Sequence, residues 1–396
     1  MELPNVRLLR RGQILREWWT EVKENFWEQD ARPQVKTLVK ELMEQTLLEE
    51  IHRHRESYAL KEAPYRNGYY ERNLVTQFGS IEDLRVPRLR EGRFRTRVFE
   101  RYKRYQNVVE DLVEGIFLAG VSTRRVGEAL SKLLESEISA STVSRITRRL
   151  DGKVGAFHKR ALIDEYQYLI LDGINLKIRH NAKYHNRRVL VAYGMTVFGR
   201  KELIDFKQAQ GESQEAWEVL LHTLYQRGLE GKHLKLMVMD GAAGLKAACE
   251  LVYPHVRIQR CWAHKLRNVA GYCRKKYEGD CLKQAKRIYL AKDRAASIRE
   301  FKCWKEAWQR LWPNAVHCLE KDLEDLLAFL DCPRAHQIRV RTTNAIERSF
   351  REVRRRTRVF SCFSNTASSE RIIFAILTHL NNNWKAKPLK QFTQFI

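Results

Sequence analysis

The sequence predicts an α/β protein centred on a mixed five-stranded sheet, and three features point there. Residues 160–262 run strand, strand, strand, helix, strand, helix, strand by hydrophobic periodicity. Two of those strands, around Leu169-Ile-Leu171 and Leu236-Met-Val-Met239, are unbroken apolar runs, as expected of strands covered on both faces. The segments on either side carry helical stripes instead.

From the N-terminus, residues 12–56 read as two helices. Leu15, Trp18, Trp19, Val22 and Phe26 form one stripe, and Asp30 and Pro33 suit the start of a second that carries Val35, Leu38, Val39, Leu42 and Met43. Such stripes serve a core or a dimer face; the sequence does not decide which. Next, Tyr65-Arg-Asn-Gly-Tyr-Tyr contains an Asn-Gly turn, and residues 76–86 read as a short hairpin around Phe78-Gly-Ser. Residues 84–105 hold eight Arg and one Lys against two Glu, interleaved with Phe94, Phe99, Tyr102 and Tyr105. A run of charge can be a plain solvated face. The density and the aromatics favour a nucleic-acid backbone, with Arg88, Arg90, Arg93, Arg95 and Arg97 as candidate contacts. Residues 107–150 read as a short helix, a turn and a Ser-capped helix that exposes Thr142, Ser144, Arg145, Arg148 and Arg149. That is a helix-turn-helix pattern, although small helical bundles look similar.

In the sheet, strands are expected at 166–179, 187–198 and 201–208, the last two turned at Gly199-Arg200. Ser213 caps a helix to residue 227 that turns Trp217, Leu220, Leu221 and Leu224 inward. Strands at 234–239 and 256–261 bracket a helix at 245–252. Residues 263–335 are helical. One stripe is Phe301, Trp304, Trp308, Leu311 and Trp312, and another is Leu319, Leu323, Leu326, Leu327 and Leu330. Core packing is the commoner use of such aromatics, and stacking on bases the rarer. A last amphipathic helix spans 370–384.

At 396 residues the chain has room for two to four domains, and 44% hydrophobic content suffices for a sizeable core. Lys and Arg number 73 against 48 Asp and Glu, a net charge of +25 that points to a polyanion. No run reaches the roughly 18 apolar residues of a membrane span, and the N-terminus lacks a signal-peptide core, so a cytoplasmic, nucleoid-associated protein with no membrane partner is expected. All eight cysteines fall from Cys249 onward with no Cys-x-x-Cys pair, unlike a secreted disulfide framework. Cys261-x-x-His264 has half the spacing of a zinc site, without a second half.

Three acids carry the chemistry. Asp172 interrupts a buried-looking strand, where a charge must be paired, solvated or metal-bound; alternatively Asp172-Gly173 is a hairpin turn. Asp240 ends a second such strand and leads into a helix, so a hairpin is disfavoured there, although Asp240 could cap that helix. Two strands with one carboxylate each are what a two-metal phosphoryl-transfer site needs. The third acid lies in a helix whose seam is Ile346, Phe350 and Val353. Glu347 shares a face with Arg351, Arg354 and Arg358 amid seven arginines. Asn344-x-x-Glu347 also fits a capping box, and Glu352 is a rival on another face.

On Leu171-Asp-Gly-Ile-Asn-Leu-Lys177, Val238-Met-Asp-Gly-Ala-Ala-Gly-Leu245, Arg260-Cys-Trp-Ala-His-Lys-Leu-Arg-Asn268 and Thr343-Asn-Ala-Ile-Glu-Arg-Ser-Phe350, the chain resembles the Mutator-type transposases of bacterial insertion sequences. The likeness runs over about residues 60–385. The spacings fit too: a shorter gap from Asp172 to Asp240, then a longer one from Asp240 to Glu347 with room for an inserted helical domain. The resemblance implies a ribonuclease-H-like core, Asp172, Asp240 and Glu347 as catalytic residues holding two Mg²⁺ ions (Mn²⁺ as a substitute), double-stranded DNA with terminal inverted repeats and target DNA as partners, and a homodimer or larger assembly. It makes Cys261 and His264 a recurrent motif of undetermined role. His264, Lys265, Arg267, Asn268, Arg348, Arg351, Arg354 and Arg355 join the candidate DNA contacts. The expected division is 1–60 helical, for dimerisation or DNA binding, 61–106 basic hairpin, 107–155 helix-turn-helix-like, 160–277 first part of the core, 278–335 all-helical insertion and 336–396 the rest of the core. A nuclease that cuts without joining, and a DNA-binding regulator without chemistry, are the rival readings.

Overall fold

The computed structural model describes residues 32–58, 63–91, 94–99, 104–119, 121–180, 183–358, 363, 365–385 and 387–393. The expected first stripe, Leu15 to Phe26, and Arg93 lie outside them. The chain divides into two compact units, Met1–Arg148 and Arg149–Ile396. Among the described residues no helix is long and apolar enough to cross a membrane.

In the first unit, helix α1 (Arg32–Glu56) starts with Pro33 in its first turn, where the missing N–H costs nothing. Its deepest residues, Leu47 and Ile51, lie one to two turns beyond the expected stripe. Leu47 packs with Leu74, Ile81, Leu84 and Val86 of a hairpin formed by β1 (Arg66–Thr76) and β2 (Gly79–Leu89). This hairpin starts well before the expected one and turns at Gln77-Phe78. There the Phe78 N–H bonds Thr76 Oγ1 at 3.1 Å and Gly79 takes φ +114°. Asn67-Gly68 is no turn: Gly68, at φ +65°, falls in a register shift inside β1. Three helices follow, α2 (Asn107–Leu118), α3 (Thr123–Leu134) and α4 (Ala140–Thr147), around Val109, Val113, Val126, Leu130, Val143 and Ile146. Ser122 and Ser139 cap α3 and α4 by accepting from Arg125 N and Thr142 N. A Cβ on Gly127 would lie 2.3 Å from the Ile138 carbonyl oxygen, so only glycine lets α3 pack this close to the start of α4.

The second unit opens with α5 (Leu150–Lys159) and continues with β3 (Tyr166–His180), β4 (Lys183–Thr196), β5 (Lys201–Ala209), α6 (Gln214–Gln226), β6 (Leu236–Met239), α7 (Ala243–Val252) and β7 (Arg257–Arg260). The sheet order is β5-β4-β3-β6-β7, with β3–β4 and β4–β5 antiparallel, β3–β6 and β6–β7 parallel. The expected mixed five-stranded sheet is therefore present. Leu169, Leu171, Met237 and Met239 face one way, packing with Trp217, Leu221 and Leu245 from α6 and α7. By the two-residue alternation, Tyr168, Ile170 and Asp172 face the other side. The edge of β5 is covered: the Asn381 amide accepts from Leu203 N at 2.8 Å and donates to Leu203 O at 3.0 Å, as a neighbouring strand would.

After β7 come α8 (Trp262–Ala270), α9 (Lys275–Leu290), α10 (Arg294–Trp308), α11 (Pro313–Glu320), α12 (Leu323–Leu327) and a short 3₁₀ turn, Ala328–Asp331. Phe301, Trp304 and Trp308 are buried as expected, but Leu311 is 63% exposed. The stripe breaks because α10 ends at Trp308 and Pro313 starts a new helix in a new direction. Then follow α13 (Arg334–Val340), α14 (Asn344–Thr357), α15 (Thr366–Lys385) and α16 (Lys390–Thr393).

Candidate active site

Asp172 sits within β3, still paired to Val191 of β4, so Asp172-Gly173 is not a hairpin turn. Its strand has left β6 two residues earlier, at Ile170 opposite Val238. Asp172 therefore stands where two parallel strands part, at the carboxyl end of the pair, the usual place for a ligand crevice in such sheets. The offset between β3 and β6 (Tyr168 opposite Leu236) equals the sequence gap between Asp172 and Asp240. The two aspartates are thus level and, by parity, on the face away from α6 and α7.

Asp240 is the first residue after β6, and its Oδ1 accepts from Ala242 N at 2.9 Å. Gly241 turns the chain at φ +91°; a Cβ there would lie 2.2 Å from Arg260 Nε. Gly173 is crowded by side chains rather than by backbone geometry: its Cβ would meet Glu212 Oε1 at 2.1 Å and Arg188 Nε at 2.8 Å, two groups bonded to each other at 2.5 Å that would have to shift.

Glu347 arrives on the first turn of α14 by a docked connection. Cys261 N donates to Met239 O at 2.7 Å beside Asp240, and Trp262 N donates to Arg341 O at 3.1 Å. Buried Thr343 then gives its N–H to Cys261 Sγ at 3.2 Å, with its hydroxyl 3.3 Å from the same sulfur. That hydroxyl also lies 3.4 Å from His264 Nδ1 and 3.3 Å from Glu347 Oε1, and His264 Nε2 is 3.7 Å from Glu347 Oε1. The capping box does not form. Thr343, not Asn344, is the N-cap, with no side-chain cap bond, and Glu347 is turned toward His264.

Burial, hydrogen bonds and neighbouring charges together set the electrostatics. Asp172 is 7% exposed, and burial pushes its carboxyl up to about 6; the Asp240 and Glu347 charges add to the rise, while the Gly173 N–H and His264 oppose it. His264 is raised, first by its hydrogen bond to Cys261 and then, against burial, by the charges of Cys261, Asp172 and Glu347. Burial pushes the Cys261 thiol up, but bonds with His264 and Thr343 outweigh it and bring it below the ordinary thiol range. The rival Glu352 is committed elsewhere: Arg355 and Arg356 bind it at 2.7–2.9 Å and hold its carboxyl down to about 2.

Among the described residues, no group of three or more His, Cys, Asp or Glu side chains is arranged to hold a metal ion. The donor set still suits Mg²⁺. It offers hard oxygens from three elements, and Mg²⁺ keeps several waters and relies on one or two carboxylates plus substrate phosphate. No Lys or Arg among the described residues pairs with Asp172, Asp240 or Glu347.

The basic candidates divide. Arg348, Arg351 and Arg354 are exposed along α14, and Arg355 is exposed but paired with Glu352. Arg267 and Asn268 are exposed on α8. Lys265 corrects the expectation: it is 1% exposed, its ammonium bonded to the Cys318 carbonyl and paired with Asp322, so it has no charge to offer a phosphate. In the first unit, Arg88, Arg90, Arg95, Arg97, Arg145 and Arg148 are exposed, with Arg88 4.7 Å over the Tyr70 ring; Arg149, opening the second unit, is exposed as well. Sequence reasoning gave Thr343 no role. Its signal was the four-residue step to Glu347, which shares one helix face.

The family model described as "Transposase, Mutator family" matches residues 19–387. The chain is 34% identical over 353 residues to the transposase for insertion sequence element ISRM5 of Rhizobium meliloti, covering 89% of this chain and 88% of that protein. It is 33% identical to the transposase for IS256 in transposon Tn4001 of Staphylococcus aureus, covering 88% and 89%. It is 35% identical over 323 residues to the transposase for IS406 of Burkholderia multivorans, covering 81% and 82%. With a matching model over nearly its whole length and relatives of comparable size that share about a third of its residues, the chain belongs to the Mutator family of transposases.

Proposed function

We propose that this transposase cleaves DNA at the ends of an insertion sequence and transfers the freed strand into target DNA, with Asp172, Asp240 and Glu347 as its catalytic acids on a ribonuclease-H-like core. One observation carries this. Three carboxylates from β3, the end of β6 and α14 share one crevice; burial raises the Asp172 carboxyl to about 6, the Asp240 and Glu347 charges add to the rise, and no Lys or Arg among the described residues pairs with the three. Neighbouring buried carboxylates are eased by a shared proton, by a cation such as His264, or by a bound metal ion, and the third is the reading that suits phosphoryl transfer. Two divalent ions, Mg²⁺ or Mn²⁺, held there would supply Lewis-acid charge to the attacking and leaving oxygens of an in-line displacement at phosphorus.

The residues around the acids suit a DNA substrate. Exposed Arg348, Arg351 and Arg354 continue along α14 from Glu347 and would neutralise phosphates flanking the scissile one. In the first unit, α3, the turn through Glu135 and Ser-capped α4 fit a helix-turn-helix, with Arg145 and Arg148 exposed for the ends of the element. The basic hairpin region, with Arg88, Arg90, Arg95 and Arg97, would hold backbone. The expected assembly is a homodimer or larger, pairing two ends.

The test is a gel assay of the full chain on labelled DNA carrying the ends of its element, in Mg²⁺ and in EDTA, wild type beside Glu347→Gln. Metal-dependent nicks and joined products, lost in the variant while binding persists, support the proposal. Nicks without joining would make the protein a nuclease, and binding without chemistry in either form would sink the catalytic reading.

A further inference from the structure

We propose that Cys261, His264 and Thr343 are positioning residues for Glu347, a latch that sets its carboxylate against Asp172 and Asp240; this rests on the metal-site reading above. Of the three acids, two are placed by the sheet itself, one within β3 and one directly after β6. Glu347 has no such anchor, because β7 and the whole run of helices from α7 to α13 separate it from Asp240. Cys261-x-x-His264 and Thr343 supply one. Cys261 is tied through its backbone to Met239 and through its sulfur to the Thr343 N–H and hydroxyl. The register of α14 is thereby fixed to the end of β6. The second contact sets the side chain. The Thr343 hydroxyl and the His264 imidazole approach the same oxygen, Glu347 Oε1, at 3.3 and 3.7 Å. One threonine proton cannot serve sulfur and carboxylate at once, so Cys261 Sγ and Glu347 Oε1 share it, while His264 Nδ1 lies 3.4 Å from the same hydroxyl and couples to both, and the group acts as a unit. Oriented partners behind a carboxylate ligand commonly control metal affinity about 10–100-fold.

The test is Mn²⁺ binding to the full-length protein without DNA, followed by the paramagnetic resonance signal of free Mn²⁺. Thr343→Val removes the hydroxyl and keeps the volume; Thr343→Ser restores the hydroxyl. Thr343→Val is expected to weaken Mn²⁺ binding about 10–100-fold, and Thr343→Ser to recover most of it, with thermal stability and DNA binding in EDTA retained. If the valine variant fails to fold, His264→Asn, at a half-buried ring, reads the same latch and is expected to weaken Mn²⁺ binding likewise. Wild-type binding in Thr343→Val and His264→Asn, with loss in Glu347→Gln, overturns the latch alone. Binding indifferent to both Asp172→Asn and Glu347→Gln overturns the latch and the metal-site reading together.

Discussion

Two aspartates are buried in the same sheet and solve the problem of charge in opposite ways. Asp205 of β5, 2% exposed, bonds His158 Nδ1 at 2.6 Å, pairs with Arg227 and accepts from Phe206 N at 2.8 Å. Arg227 also donates to the Arg160 carbonyl, stitching α5 and the end of α6 to the sheet. Asp172 of β3, 7% exposed, receives one backbone N–H and is crowded by Asp240 and Glu347. A buried carboxylate bonded to a guanidinium is a structural joint. One held by a single backbone N–H beside two other carboxylates is raised by burial and then by their charges, as carboxyls in functional sites commonly are.

The contrast makes opposite predictions for the same chemical change. On the proposed function, Asp172→Asn removes a metal ligand worth several kcal/mol in the transition state and should lower DNA cleavage about a thousand-fold or more, while the melting temperature of the metal-free protein stays level or rises. Asp205→Asn should leave Arg227 without its counter-charge inside the protein and cost about 3–5 kcal/mol by denaturant titration. A fall in stability for Asp172→Asn as large as for Asp205→Asn would erase the distinction.

Smaller effects sharpen it. Glu352→Gln takes the carboxylate from exposed Arg355 and buried Arg356, so it should cost about 1–3 kcal/mol yet leave cleavage intact, unlike Glu347→Gln. Gly173→Ala places a methyl against the partly exposed Arg188–Glu212 pair and should cost about 1 kcal/mol or less by denaturant titration as that pair shifts. Arg351→Ala and Arg354→Ala should each flatten the slope of log DNA affinity against log salt by about 1, with unchanged sequence preference.

Much of the second unit was legible because its signals are local. Leu169-Ile-Leu171 and Leu236-Met-Val-Met239 can only be central strands, and Ser213 announces its helix three residues ahead of the N–H it caps. Even the site was half written in the numbering, since the gap between Asp172 and Asp240 is the register of β3 on β6. What escaped depends on contacts made across long gaps. Lys265 looked like a surface cation until Asp322, 57 residues later, was found beneath it. Thr343 needed Cys261, 82 residues earlier, to acquire a role. The hairpin turn beside Phe78-Gly79 was legible, but the length of its first strand was not, because Asn67-Gly68, a strong turn signal, is taken up in a register shift when the strands pair through it.

The most direct test of the central claim replaces Mg²⁺ with Fe²⁺ and ascorbate, so that radicals made at the bound ion cut the nearest backbone. Cuts around residues 172, 240 and 347 in one digestion, suppressed by added Mg²⁺ and absent in Asp172→Asn, are the predicted result. Cuts missing from any of the three segments, or unaffected by Mg²⁺, would contradict a shared metal centre.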